Sequence, residues 1–183
     1  STMDQNEHRK LRVGVFGVGS LGQHHARIYS ELAEAELVGV YDVDQKRADE
    51  IAAKHHAKAY SSIEALASEI EAASVVVPTD RHLEVSQVLM RHKLHLLVEK
   101  PIATSTEEAR EMVSAADKNG LILQVGHVER FNPVMKFLED SLTKPRFIEA
   151  VRLAQYPPPR EAGLPRGTEV SVVLDLMIHD LEN

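Results

Sequence analysis

The sequence contains neither cysteine nor tryptophan. Without cysteine, disulfides and thiolate-ligated metal sites are excluded. Aromatic residues make up 4% of the chain, and the basic residues are scattered against a formal net charge of −7. That balance leaves no basic stripe for a phosphate backbone, so no nucleic-acid partner is expected. No apolar run is long enough to cross a bilayer, and no secretory signal pattern is visible. The expectation is a cytoplasmic protein without a membrane partner. Internal repeats and low-complexity segments are also missing.

What the 183 residues do contain is an ordinary globular share of hydrophobic residues, 43%. That suffices for one large domain or a domain plus part of another. The pattern is organised around Leu11 to Gly22, LRVGVFGVGSLG. Leu11 to Phe16 reads as a buried parallel strand. Gly17, Gly19 and Gly22 then form G-x-G-x-x-G, and a helical pattern follows with Leu21, His25, Ile28 and Leu32. Strand, glycine turn and helix in that order form a dinucleotide-binding fingerprint. Gly17 permits the tight turn, Gly19 lets a pyrophosphate approach the backbone, and Gly22 lets helix and strand pack closely. The helix N-terminus offers free N–H groups and partial positive charge to the phosphates.

A second strand, Leu37 to Tyr41, ends at Asp42. Asp42 lies about twenty residues beyond Gly22, where such a site places the acid that accepts from the adenosine ribose. An acid there repels the extra phosphate of NADP, so NAD is favoured. Lys46 and Arg47 follow closely and keep NADP as the lesser option. The competing reading is that Asp42 and Asp44 only open a turn and cap the next helix.

Alternation continues to Gly126. Helices are expected over Asp44–Lys54, from a Ser61/Glu64 capping box through Ile63, Leu66 and Ile70, over Arg81–His92, and from Thr104–Glu108 to Gly120. Strands are expected over Ala57–Tyr60, Ala73–Val77, Leu94–Val98 and Leu121–Val125. This is an α/β, doubly wound parallel sheet of the Rossmann type over residues 10–128. Active residues then belong at the carboxyl ends of its strands. Those ends carry Gly17, Gly19, Ser20, Leu21 and Gly22, then Asp42, Pro78, Thr79, Glu99, Lys100 and His127.

Residues 129–183 change character. A short helix, a strand with polar alternation, a Pro/Gly-rich loop and a helix over Thr168–Leu181 read as the start of a truncated α+β second domain. Val170, Val173, Leu174, Met177, Ile178 and Leu181 make that last helix apolar nearly all round, hence buried. Its polar strip contains Asp175 and His179, four apart and on one face. An imidazole there has the right basicity to take the proton of an alcohol as hydride leaves its carbon, with Asp175 orienting it or the substrate. A solvated strip is the plainer alternative. A metal-binding pair ranks behind it, because no further ligands are identifiable. Lys100, between Glu99 and Pro101, can shuttle a proton or polarise a hydroxyl, or can simply pair with Glu99. His127 and Arg130 are weaker candidates for contact with a substrate, and His25 reads as local packing or capping.

Taken together, GVGSLG, Asp42 in VYDVD, Glu99-Lys100-Pro101 and Asp175 with His179 in LDLMIHD resemble the Gfo/Idh/MocA family of NAD(P)-dependent oxidoreductases. The resemblance runs from Leu11 over nearly the whole chain. It implies hydride transfer between NAD and a sugar carbinol, with His179 as base, Lys100 as proton relay or hydroxyl ligand, and Asp175 alongside. It implies a cis Lys100–Pro101 bond, and a homo-oligomer built by the second domain in a full-length chain. GHVERFNP, RFIEAVRL and VVLDLMIHDL look most like the branch acting on the 3-hydroxyl of a UDP-N-acetylhexosamine. With only the first strand and helix of the second domain present, catalysis by this chain alone is doubtful, whereas cofactor binding should survive. The reading from another class is a non-catalytic NAD(H)-binding sensor, which would have no use for Lys100, Asp175 and His179.

Overall fold

In the computed structural model, which describes residues 9–126, strands and helices alternate from Leu11 to Val125. β1 (Leu11–Phe16) is buried at every position but Arg12, as a continuous apolar run requires inside a parallel sheet. It is followed by α1 (Ser20–Glu31), β2 (Ala35–Tyr41), α2 (Gln45–Lys54), β3 (Lys58–Tyr60) and α3 (Ile63–Ala67). β4 (Ala72–Val75), a single 3-10 turn (Thr79–Arg81), α4 (His82–Arg91), β5 (His95–Val98), α5 (Thr106–Lys118) and β6 (Leu123–Val125) complete the order.

The six strands form one sheet in the order β3-β2-β1-β4-β5-β6, and every pairing is parallel. The chain winds outward from β1 to β3, then crosses back to β4 on the other side of β1. This reversal leaves a crevice at the carboxyl ends of β1 and β4, where ligands of open α/β sheets bind.

Strand periodicity sorts the core into two layers. Leu96 and Val98 of β5 pack with Leu66, Leu89 and Met112 of α3, α4 and α5. Leu97, between them, joins Val13, Val15 and Val40 under Ala26 and Tyr29 of α1 and Ile51 of α2. Leu97 is fully buried, so its truncation to alanine would cost about 2–5 kcal/mol.

Local signals explain the helix starts. Asp44 caps α2 by accepting the Arg47 N–H at 3.2 Å. Ser105 caps α5 by accepting the Glu108 N–H at 3.2 Å, while the Glu108 carboxylate reaches back to the backbone and hydroxyl of Thr104. The cap of α3 differs from expectation. Ser62, not Ser61, accepts the Ala65 N–H at 3.1 Å, so the helix begins one residue later. It also ends at Ala67, and Ile70 reaches the core from the following turn. β4 stops at Val75 rather than Val77, which frees residues 76–79 to turn along the crevice.

Candidate functional site

The glycine turn joins β1 to α1. Gly17 has φ +92°, and a Cβ on it would meet the Val76 carbonyl oxygen at 2.5 Å. A Cβ on Gly22 would overlap the Gly17 carbonyl, so only glycine lets α1 start this close to the turn. Gly19 is different. A Cβ there meets no protein atom within 4 Å, so the space it leaves belongs to the crevice rather than to packing. Gly19, the residue before α1, offers no side-chain cap, and the first turn of α1 holds no acidic residue. Its first N–H groups and its partial positive charge are therefore available to an anion, and a pyrophosphate suits them.

Asp42, at the end of β2, is buried. One carboxylate oxygen accepts the Val18 N–H of the glycine turn at 2.8 Å, and the other accepts the Asp44 N–H at 2.9 Å. A carboxylate has about four acceptor positions, so two remain. Arg47, about half exposed, lies 3.8 Å from Asp42 and 3.7 Å from Asp44, beyond hydrogen-bond distance of either. Lys46 points to Glu50 at 3.9 Å. Next to Asp42, Val43 is 74% exposed, and Leu21 at the start of α1 is 54% exposed. The buried face of α1 is Gly22, His25, Ala26 and Tyr29, which shares His25 with the spacing Leu21, His25, Ile28 and Leu32.

The crevice is a cleft of about 320 Å³ lined by residues 19–22, 76–79 and 99–100 together with His82. It thus brings together Gly19, Ser20, Leu21, Gly22, Pro78, Thr79, Glu99 and Lys100. Gly17 and Asp42 shape the turn beside this cleft. The Lys100–Pro101 bond is cis. Lys100 is exposed at the cleft, whereas Glu99 beneath it is buried. His82, also buried, places its two ring nitrogens 3.0 Å from the Ile102 carbonyl and 2.8 Å from the Val77 carbonyl. It ties the loop after β5 to the exit from β4.

The sequence reading of His25 as local packing was incomplete. Its ring is fully buried, with Nε2 2.7 Å from Glu99 Oε1 and Nδ1 2.8 Å from Ser74 Oγ. The Tyr29 hydroxyl lies 2.7 Å from the same Ser74 oxygen. Burial pushes the Tyr29 phenol well above its ordinary range, so it keeps its proton. The available signal was a His and a Tyr at i and i+4 on the apolar face of α1, opposite the serine of an otherwise apolar strand. Val76, Val77 and His82 were missed because strand and helix patterns extended over them.

His127, Arg130, Asp175 and His179, and the whole segment 129–183, lie outside the described residues. Among the described residues, no three His, Asp or Glu side chains gather as a metal site, and no helix is long and apolar enough to cross a membrane.

Residues 11–127 match the family model GFO_IDH_MocA, described as an oxidoreductase family with an NAD-binding Rossmann fold. The chain belongs to the Gfo/Idh/MocA oxidoreductase family. Its Rossmann unit is an NAD-binding domain. The chain is 39% identical over 173 residues to UDP-N-acetylglucosamine 3-dehydrogenase of Acidithiobacillus ferrooxidans, covering 94% of this chain and 52% of that enzyme. The solved structure of that enzyme superposes with a TM-score of 0.63, over 82% of this chain and 50% of the other. The chain is also 32% identical over 137 residues to scyllo-inositol 2-dehydrogenase (NADP(+)) IolU of Bacillus subtilis, covering 73% of this chain and 42% of that one. GenD2 from gentamicin A biosynthesis, solved with NAD, is 26% identical with a TM-score of 0.63, over 64% of this chain and 34% of that one. The chain spans about half the length of the curated relatives it matches, or less.

Proposed function

We propose that this chain carries the cofactor-binding part of an oxidoreductase that passes a hydride between NAD and a sugar carbinol, with the 3-hydroxyl of a UDP-N-acetylhexosamine as substrate. The observation that carries the reading is a single cleft joining the uncapped N-terminus of α1 to Glu99 and Lys100. The substrate class rests on the 39% identity to an enzyme named UDP-N-acetylglucosamine 3-dehydrogenase.

The residues divide the cofactor as follows. The first N–H groups of α1 hold the pyrophosphate at the opening left by Gly19. Asp42 uses its remaining acceptor positions for the adenosine ribose hydroxyls. A 2′-phosphate would face Asp42, buried at the end of β2, so NAD is preferred over NADP. The nicotinamide half extends toward Pro78, Thr79, Glu99 and Lys100. When bound, NAD supplies the hydride acceptor.

Lys100 then donates a hydrogen bond to the substrate hydroxyl oxygen and stabilises the negative charge that develops there as the hydroxyl proton leaves. His179 takes that proton as base, Asp175 orients the pair, and His127 and Arg130 contact the sugar. These four residues are assigned from the sequence.

The test is NADH formation from NAD with UDP-N-acetylglucosamine, against inositol, in a protein extended to the length of these relatives. Turnover with the nucleotide sugar is expected, and turnover with inositol alone would contradict the substrate. Lys100→Ala should abolish turnover while NADH affinity stays within about threefold. A tenfold loss of affinity with normal turnover would remove Lys100 from the chemistry.

A further inference from the structure

Tyr29, Ser74, His25 and Glu99 form one buried line leading from the core to the cleft. Its proton directions follow from counting. Tyr29 keeps its hydroxyl hydrogen. If it donates to Ser74, the Ser74 hydroxyl is free to donate to His25 Nδ1. His25 then carries its hydrogen on Nε2 and donates it to the Glu99 carboxylate. Among the described partners, every hydrogen in this arrangement has an acceptor. If His25 instead donated from Nδ1, either the serine or the tyrosine hydrogen would lose its acceptor inside the core, which costs free energy. The line therefore has a fixed direction, and it ends on a carboxylate that is also bonded to the Lys100 N–H at 3.3 Å.

Glu99 lines the cleft on the side assigned above to the nicotinamide, with one carboxylate oxygen on His25 and the other toward the Lys100 N–H. The oxidised nicotinamide ring is a cation, and the reduced ring is neutral. A fixed negative charge nearby in a poorly solvated site favours the cation. We propose that His25 is a positioning residue that, backed by Ser74 and Tyr29, holds Glu99 as a carboxylate beside the cleft, so that the site, Lys100 included, binds NAD+ better relative to NADH than it would with residue 99 uncharged. The inference rests on the cofactor placement proposed above. It extends that reading by giving the Glu-Lys-Pro turn a second task, setting the preference between the two redox states of the cofactor.

The experiment measures dissociation constants of the 183-residue chain for NADH, by its fluorescence, and for NAD+, by displacement of NADH. The readout is their ratio, which a purely structural role would leave unmoved. Glu99→Gln keeps the shape and the bond to His25 but removes the charge. It should shift the ratio toward NADH by about tenfold. His25→Asn withdraws the donor from Glu99 and should shift the ratio the same way. His25→Gln, whose amide nitrogen reaches the Nε2 position, should stay within about twofold of the unmodified chain. An unchanged ratio in Glu99→Gln, with both cofactors still bound, would overturn the inference and leave the cofactor site standing. A shift in Glu99→Gln without one in a folded His25→Asn would remove His25 from the account. If His25→Asn does not fold, Glu99→Gln and His25→Gln decide. Failure of the unmodified chain to bind either form would overturn the cofactor placement itself, and the inference with it.

Discussion

The Asp42 carboxylate accepts the Val18 N–H at 2.8 Å, so the acid that ends β2 also clamps the glycine turn that follows β1. One side chain thus serves the shape of the phosphate cradle and, in the proposed function, the choice of cofactor. The two tasks separate in Asp42→Asn, which keeps an acceptor for Val18 but loses the charge. Folding stability should fall by no more than about 1–2 kcal/mol, while the preference for NADH over NADPH should drop about tenfold. Direct titration with each cofactor measures this. An unchanged preference would mean that Asp42 is a clamp only.

Gly19 and Gly22 should respond in opposite ways to the same substitution. A Cβ at Gly19 meets no protein atom, whereas one at Gly22 overlaps the Gly17 carbonyl. Gly19→Ala should leave the melting curve nearly unchanged and weaken NADH binding at least about tenfold, because the methyl fills the opening meant for the pyrophosphate. Gly22→Ala should lower stability as well as binding. Equal losses of stability in the two variants would contradict the assignment of the Gly19 opening to a ligand.

Much of this was legible in the sequence. The order of strands and helices, the glycine turn, and the meeting of Pro78, Thr79, Glu99 and Lys100 at one sheet end all follow from apolar periodicity and turn residues. What periodicity does not encode is polar pairing across distant elements. His25 and Glu99 are 74 positions apart, and nothing local in either segment announces the bond. Boundaries failed where a side chain could serve two adjacent positions. Ser61 and Ser62 both suit a cap, and the cap falls on Ser62. Val76 and Val77 suit a strand, yet Val76 follows the last paired residue and turns along the cleft.

The cap assignment is testable by itself. Ser62→Ala should destabilise the protein by about 1 kcal/mol through loss of the bond from the Ala65 N–H. Ser61→Ala should be close to neutral. Chemical denaturation of both variants decides, and a larger loss at Ser61 would return the cap to that residue.

His95 predicts a pH dependence. Burial lowers its pKa below the ordinary histidine value, and its Nδ1 accepts the Ile122 N–H at 3.0 Å, which requires that nitrogen to be unprotonated. The unfolded chain therefore binds this proton more readily than the folded one. Stability from this residue is complete above the unfolded histidine pKa of about 6.5 and is lost as the pH falls from there toward the lower folded value. The slope is at most about 1.4 kcal/mol per pH unit for one proton. His95→Asn keeps an acceptor but cannot titrate, so its stability should fall less between pH 7 and pH 5. Identical slopes in the two proteins would contradict this. His55, whose pKa burial also lowers, adds to the same trend in both.

The central claim is that the cleft at the end of β1 holds NAD. The most direct test is titration of the chain with NADH and, separately, NADPH, following the fluorescence of the cofactor itself. The protein has no tryptophan to add background. Saturable binding of NADH, with NADPH at least about tenfold weaker, is the predicted result. A preference for NADPH would contradict the role given to Asp42, and no binding of either by the folded chain would contradict the site.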